Sequence, residues 1–249
     1  MLRITDDRTG ELVEAAPVRR GLTRVEAHAP GCDAGALRVL LVADLLVRAL
    51  ELGGTPVWAL LNAERQRAEL RACAATLGNR PLEDSHDTTT GLGEAQIVHV
   101  AQDPAAAPDG VLLRVGSVVS SPWASTVPAD WGGAADTAVV RLALLSVPRG
   151  APARLDDAAL GAAGATLARW RRAVAGWARR PSRPIPDDVR ARLRAAWEDD
   201  LDIPAVLDVL RGMEEAAPDD LPEGARFETY VYADRLLGLD LARDLGAPT

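Results

Sequence analysis

Leu37, Leu40, Leu41, Leu45, Leu46 and Leu50 recur so closely that, at 3.6 residues per turn, they cover most of a helix's circumference. Asp33 opens that helix and Gly53-Gly54 stops it near residue 52. A helix apolar on several sides is buried on several sides, and Asp44 and Arg48, four apart, can pair on what remains. Residues 22–27 before it form a short extended candidate, followed by a turn at Pro30-Gly31. Residues 56–61 after it, with Val57 and Trp58, suit a buried parallel strand. Strand, turn, helix and strand make a βαβ unit, whose ligands bind outside the carboxyl ends of the strands, here residues 28–36. A second helix at 63–77 and strands at 96–101 and 111–115 extend the pattern.

Between residues 116 and 135 the periodicity lapses around Pro122, Pro128 and Gly132-Gly133. Helical spacing then dominates, at about 136–146, 156–178, 187–198, 203–216 and 226–245, with Pro-rich joints. The clearest linker is 181–186. The pattern predicts an α/β, Rossmann-like parallel-sheet core over residues 1–135 and an α-helical bundle over 136–249.

Composition narrows the chemistry. Of 249 residues none is lysine, so all 28 positive charges are arginine. Lysine Schiff bases and Walker-type phosphate loops are thereby excluded. Cys32 and Cys73 cannot build a disulfide framework or a four-thiolate zinc site. The longest apolar run is broken by Arg38, Asp44 and Arg48, and the first fourteen residues have no apolar core. The expectation is a cytoplasmic protein with no membrane partner. A net charge of −8 argues against DNA as a partner, yet residues 169–194 hold nine arginines against two aspartates. Arg169, Arg171, Arg172, Arg179 and Arg180 are a candidate surface for tRNA or an acidic protein partner. Trp170 and Trp177, seven apart, read instead as the core stripe of that helix. Asp156-Asp157, Asp187-Asp188 and Asp219-Asp220 precede helices and read as caps. Nucleophile-elbow, zincin and dinucleotide-fingerprint motifs are absent from the sequence.

Asp33-Ala34-Gly35-Ala36-Leu37-Arg38, opening a helix after the first strand, falls where class I aminoacyl-tRNA synthetases carry His-Ile-Gly-His. Residues 42–48 resemble the cysteinyl-tRNA synthetase continuation of that helix. Leu142-Ala143-Leu144-Leu145-Ser146, Leu167-Ala168-Arg169-Trp170-Arg171 and Asp199-Asp200-Leu201-Asp202-Ile203-Pro204-Ala205 resemble that family's helical half and, equally, the cysteine ligase of mycothiol biosynthesis. The resemblance implies a class I synthetase-type core and a nucleotide and amino-acid pocket at His28, Asp33, Gly35, Arg38, His99, Ser120 and Ser121.

The signatures depart from that pattern. Asp33 and Ala36 stand at the two histidine positions, and only Gly35 is kept. The best match to the Lys-Met-Ser-Lys-Ser loop puts Val118 and Ser121 at the lysine positions. A carboxylate about 4 Å from a phosphate charge repels it by roughly 4 kcal/mol at an effective dielectric of 20. Asp33 reads as a helix N-cap in the ancestral anion seat. The family's first zinc ligand is matched by His28, and a second by His99. His28, Cys32 and His99 could form an open three-ligand set, although strand-end histidines are more often structural, and no metal is assigned. ATP or zinc is expected only if the site has been rebuilt. The resemblance thus implies a shortened, catalytically degenerate paralogue acting as a binding, regulatory or accessory subunit. The alternatives are an active ligase or aminoacyl-tRNA-using transferase with phosphate held by Arg38 or Arg114, and a tRNA-binding module.

Overall fold

The computed structural model describes residues 1–17, 22–84, 96–104, 107, 110–120, 136–217 and 221–246. At its centre lies a five-stranded, all-parallel sheet built from β3 (Thr23–Ala29), β4 (Val57–Ala63), β5 (Glu83–Asp84), β6 (Gln96–Ala101) and β7 (Val111–Arg114). Its spatial order is β5-β4-β3-β6-β7. The chain fills one side from the centre outwards and then the other, as in a Rossmann-like core. The order reverses between β3 and β6, where such sheets open a crevice.

α1 (Ala34–Leu52) starts where the Asp33 carboxylate accepts a hydrogen bond from the Ala36 amide at 2.7 Å, and it stops at Gly53. It is buried along nearly its whole length and packs on the sheet face formed by Val25, Ala27, Val98, Val100 and Leu61. α2 (Arg67–Thr76) follows β4 and is shorter than its sequence pattern suggests.

Two features have no counterpart in the periodicity. β1 (Arg3–Asp6) and β2 (Glu11–Glu14) form an N-terminal hairpin turned at Gly10, where φ is +74°. Its acids cover the exposed edge of the sheet: Asp6 accepts from the Leu112 amide at 3.1 Å and Asp7 from the Arg114 amide at 2.8 Å. Edge amides covered in this way cannot recruit another strand. The second feature is a parallel pair, β8 (Val118–Ser120) with β9 (Ala153–Leu155).

Helices α3 (Thr137–Leu145), α4 (Asp157–Trp177), α5 (Asp187–Glu198), α6 (Ile203–Glu215) and α7 (Glu223–Leu237) complete seven helices among the described residues. α3 packs on α4 and α5 on α6, while α7 touches α1, α4, α5 and α6. Trp170 and Trp177 meet Tyr230 edge-on at 5.7 and 5.1 Å, and the Tyr230 hydroxyl donates to the Leu210 carbonyl at 2.8 Å. One hydrophobic cluster joins the sheet, α1 and these helices. α7 ends at Leu237 rather than near residue 245. Gly238 turns left-handed at φ +62°, and the Asp234 carboxylate accepts from the Leu239 and Leu241 amides. No described helix is long and apolar enough to cross a membrane.

Candidate functional site

The crevice between β3 and β6 faces the N-terminus of α1, where backbone amides of a Rossmann-like fold ordinarily receive an anion. In this chain that seat is filled from within. Asp33, extended at φ −136°, places its carboxylate on the helix end. Gln102, just past β6, lays its amide over Gly35 so closely that a Cβ there would stand 2.5–2.9 Å from the Gln102 side-chain atoms. Gly35 thus gives room to a neighbouring side chain of the same protein, where the resemblance implied a ligand. Gln102 is held by the Gly116 carbonyl, 3.3 Å from Nε2.

Arg38 does not reach the crevice. The residue is 1% exposed, and its guanidinium donates to the carbonyls of Gly116, Ala151, Pro148 and Ser117 at 2.6–3.3 Å. Burial lowers its pKa to about 10. It fastens α1 to the chain around β8 and β9. Arg114 faces Asp7 of the hairpin at 3.7 Å. Ser120 ends β8, paired in register with Leu155, and Ser121 lies outside the described residues.

His28 and His99 do come together, in different company from that expected. Strand β3 runs on to Ala29, so Glu26 and His28, two apart, share one face of the sheet. In the parallel register Glu26 stands beside His99 and His28 beside Asn62. His28 Nε2 lies 3.0 Å from His99 Nδ1, and Glu26 Oε2 lies 3.5 Å from His99 Nδ1 and 4.0 Å from His28 Nε2. Arg24 donates to the other Glu26 oxygen at 2.6 Å, and the Asn62 amide nitrogen is 3.3 Å from His28 Nδ1. All three residues are buried. Burial, reinforced by His99 and opposed by Glu26, lowers the His28 pKa to about 4, so its ring is neutral at pH 7. Gly110, at φ +143°, lies against the far edge of the His99 ring, 3.3 Å from where a Cβ would stand. Cys32 is not a member of this group. Its thiol interacts with Cys73 of α2, and burial followed by that neighbour raises its pKa to about 11.

The arginine-rich segment divides. Arg171, expected on an outer surface, is 6% exposed and donates to the carbonyls of Leu239 and Asp240 and to Asp136. Its place on the inner side of α4 follows from its position next to Trp170 in the core stripe. Arg169 pairs with Glu214 at 2.7 Å and Arg180 with Glu223 at 2.7 Å. Arg172 and Arg179 are exposed, and Arg172 donates to the Ala168 carbonyl. Of the acidic pairs, Asp156 caps α4, whereas Pro186, not Asp187, stands at the N-cap of α5. Asp219-Asp220 lies outside the described residues.

Three residues that matter at the crevice, Glu26, Asn62 and Gln102, were not singled out from sequence. A carboxylate two positions before a histidine, on the same face of one strand, was the available signal for Glu26. No family model matches the chain, and no curated protein matches it.

Proposed function

We propose that this chain is a shortened, catalytically degenerate relative of cysteinyl-tRNA synthetase and the mycothiol cysteine ligase, acting as a binding or accessory protein. The observation that carries the reading is the double occupation of the α1 N-terminus by the Asp33 carboxylate and the Gln102 amide. A helix end that holds its own carboxylate offers neither its amides nor its dipole to a triphosphate. The arginine best placed in sequence to replace a phosphate-binding group, Arg38, already serves four backbone carbonyls. The resemblance itself supplies the link to cysteine ligases.

The test is cysteine-dependent exchange of pyrophosphate into ATP, with ATP binding followed by calorimetry. The expected result is exchange at background and no saturable ATP binding. Exchange above background in the wild-type chain would defeat the proposal. Asp33→Ala removes the cap and is expected to cost about 1 kcal/mol in chemical denaturation. Combined with Gln102→Ala it reopens the seat, and gain of ATP binding by that double variant would show that occupation blocks the site.

A further inference from the structure

We infer that Cys32 and Cys73 form a reversible disulfide, a redox-sensitive clasp between the turn that leads into α1 and the flank of α2. The inference goes beyond the accessory-protein reading and stands whether or not that reading holds. The sequence has two cysteines, on separate elements, and the fold brings their side chains into direct interaction. Cys32 belongs to the turn after β3, and its amide donates to Gln66 Oε1 at 3.3 Å. Gln66 is the N-cap of α2, so this bond seats the turn against the start of that helix. Cys73 lies further along α2, four residues after Glu69 and on the same flank, and Cys32 feels both of them. Both cysteines are half-buried and pack against the main core. Cysteines whose side chains point apart cannot be bridged without moving the backbone, whereas these two already meet.

The oxidant is a small-molecule disulfide, for which oxidised glutathione serves. Burial and the neighbouring thiol raise the Cys32 pKa to about 11, so the first attack falls to Cys73. The Cys73 thiolate, its proton lost to solvent, displaces one glutathione thiolate and forms a mixed disulfide. The Cys32 thiol then gives up its proton and attacks Cys73 Sγ, which releases the second glutathione thiolate. Two protein thiols are thereby oxidised, and one small disulfide is reduced to two thiols. The surroundings favour the bridged form: Asp33 and Glu69 oppose a thiolate on Cys32, whereas a disulfide carries no charge. A reduced pair without a stabilised thiolate gives up its electrons more readily than one that has it. Because Cys32 directly precedes Asp33, the bridge also ties the residue that caps α1 to α2.

The test uses the full chain, reduced, freed of reductant and equilibrated at rising ratios of oxidised to reduced glutathione, then quenched with acid and a thiol alkylator. The expected result is that both thiols disappear together within one chain, with two hydrogens lost and no glutathione gained. Peptide mapping should show Cys32 linked to Cys73, and dithiothreitol should reverse the change. The bridged chain should unfold about 5–10 °C above the reduced one, and hydrogen exchange at the amides of residues 33–36 should slow. Cys32→Ser and Cys73→Ser should each abolish both effects. Circular dichroism of the reduced variants establishes that they fold; if one does not, alanine replaces serine, and the peptide map of the wild-type chain decides without either. The clasp is overturned if, at the highest ratio, the wild-type chain keeps both thiols or carries glutathione without a bridge. Bridges formed solely between chains overturn it equally.

Discussion

Buried charge is handled in two ways on the two sides of the central sheet. Behind α1, one carboxylate collects donors: Asp44 accepts from Arg141 at 2.7 Å, from Arg48 at 2.9 Å and from the Arg80 amide at 3.2 Å. Arg141, fully buried, spends its other donors on Asn79 and on the carbonyls of Leu237 and Leu77. On the opposite face the balance is reversed. Three polar atoms from Glu26, His28 and His99 lie within 4.0 Å of one another, two of them facing ring nitrogens. The first arrangement ties α1, α3, the turn after α2 and the end of α7 together. The second joins two imidazoles and a carboxylate across the adjacent strands β3 and β6. Both groups are buried, so burial alone does not separate them; the ratio of donors to acceptors does.

The largest effect is expected from breaking the first cluster. Asp44→Ala leaves Arg141 buried without its carboxylate and should cost about 3–5 kcal/mol in denaturant unfolding. Replacing Asp44 and Arg141 together by leucine and methionine should cost much less, because no charge is then stranded. A double variant as unstable as the single one would show that the guanidinium's carbonyl contacts, not the ion pair, hold these elements.

Gly238 probes how closely the same cluster is packed. Its φ is +62°, and a Cβ there would meet the guanidinium groups of Arg141 and Arg48 at 3.1–3.2 Å. Gly238→Ala therefore combines a left-handed penalty with crowding, and a loss of roughly 2 kcal/mol is expected. A loss below half of that in thermal or chemical unfolding would mean the guanidinium groups can yield.

The sequence carried more of the fold than of the site, for a physical reason. α1, its Asp33 cap and the strands at 96–101 and 111–115 were legible because burial imposes a period and a stop signal on a single stretch of chain. The β1–β2 hairpin was not, since four-residue strands rich in acids and arginine carry no such period. Its acids make sense only against the amides of Leu112 and Arg114, about a hundred residues away. The arginines show the same limit. Nothing in composition separates Arg38, Arg141 and Arg171, which are buried, from Arg172 and Arg179, which are exposed. At the crevice His28, Asp33 and His99 could be singled out, but their roles depended on Glu26 and Gln102, which lie on neighbouring residues or strands.

The second cluster should behave differently from the first when broken. His28→Gln removes one neutral hydrogen-bonding ring and supplies an amide of similar reach. A stability change within about 1 kcal/mol is expected, the scale of a single neutral hydrogen bond. If His28→Gln instead lost as much as Asp44→Ala, the histidine pair would be structural cement and the contrast between the two faces would fail.

The smallest effect comes from a partly exposed version of the Asp44–Arg141 arrangement. Asp136 caps α3, pairs with Arg171 and Arg243, and through Arg171 reaches the chain that follows α7. Burial pushes its carboxyl pKa upward, but the hydrogen bond and charge of Arg171, helped by the Ala138 amide and Arg243, hold it below the usual carboxylate value. An acid with a depressed native pKa adds stability that is complete above the unfolded value, near pH 4. That stability is lost as pH falls through the lower native value. The unfolding midpoints of wild type and Asp136→Asn should therefore differ by a constant amount from about pH 5 to 7 and converge as the solution is acidified below about pH 4. Because this carboxylate is partly solvated, the gap should be well short of that produced by Asp44→Ala. A gap independent of pH would assign the role of Asp136 to its cap on α3, leaving the charge of Arg171 to be balanced by the carbonyls of Leu239 and Asp240.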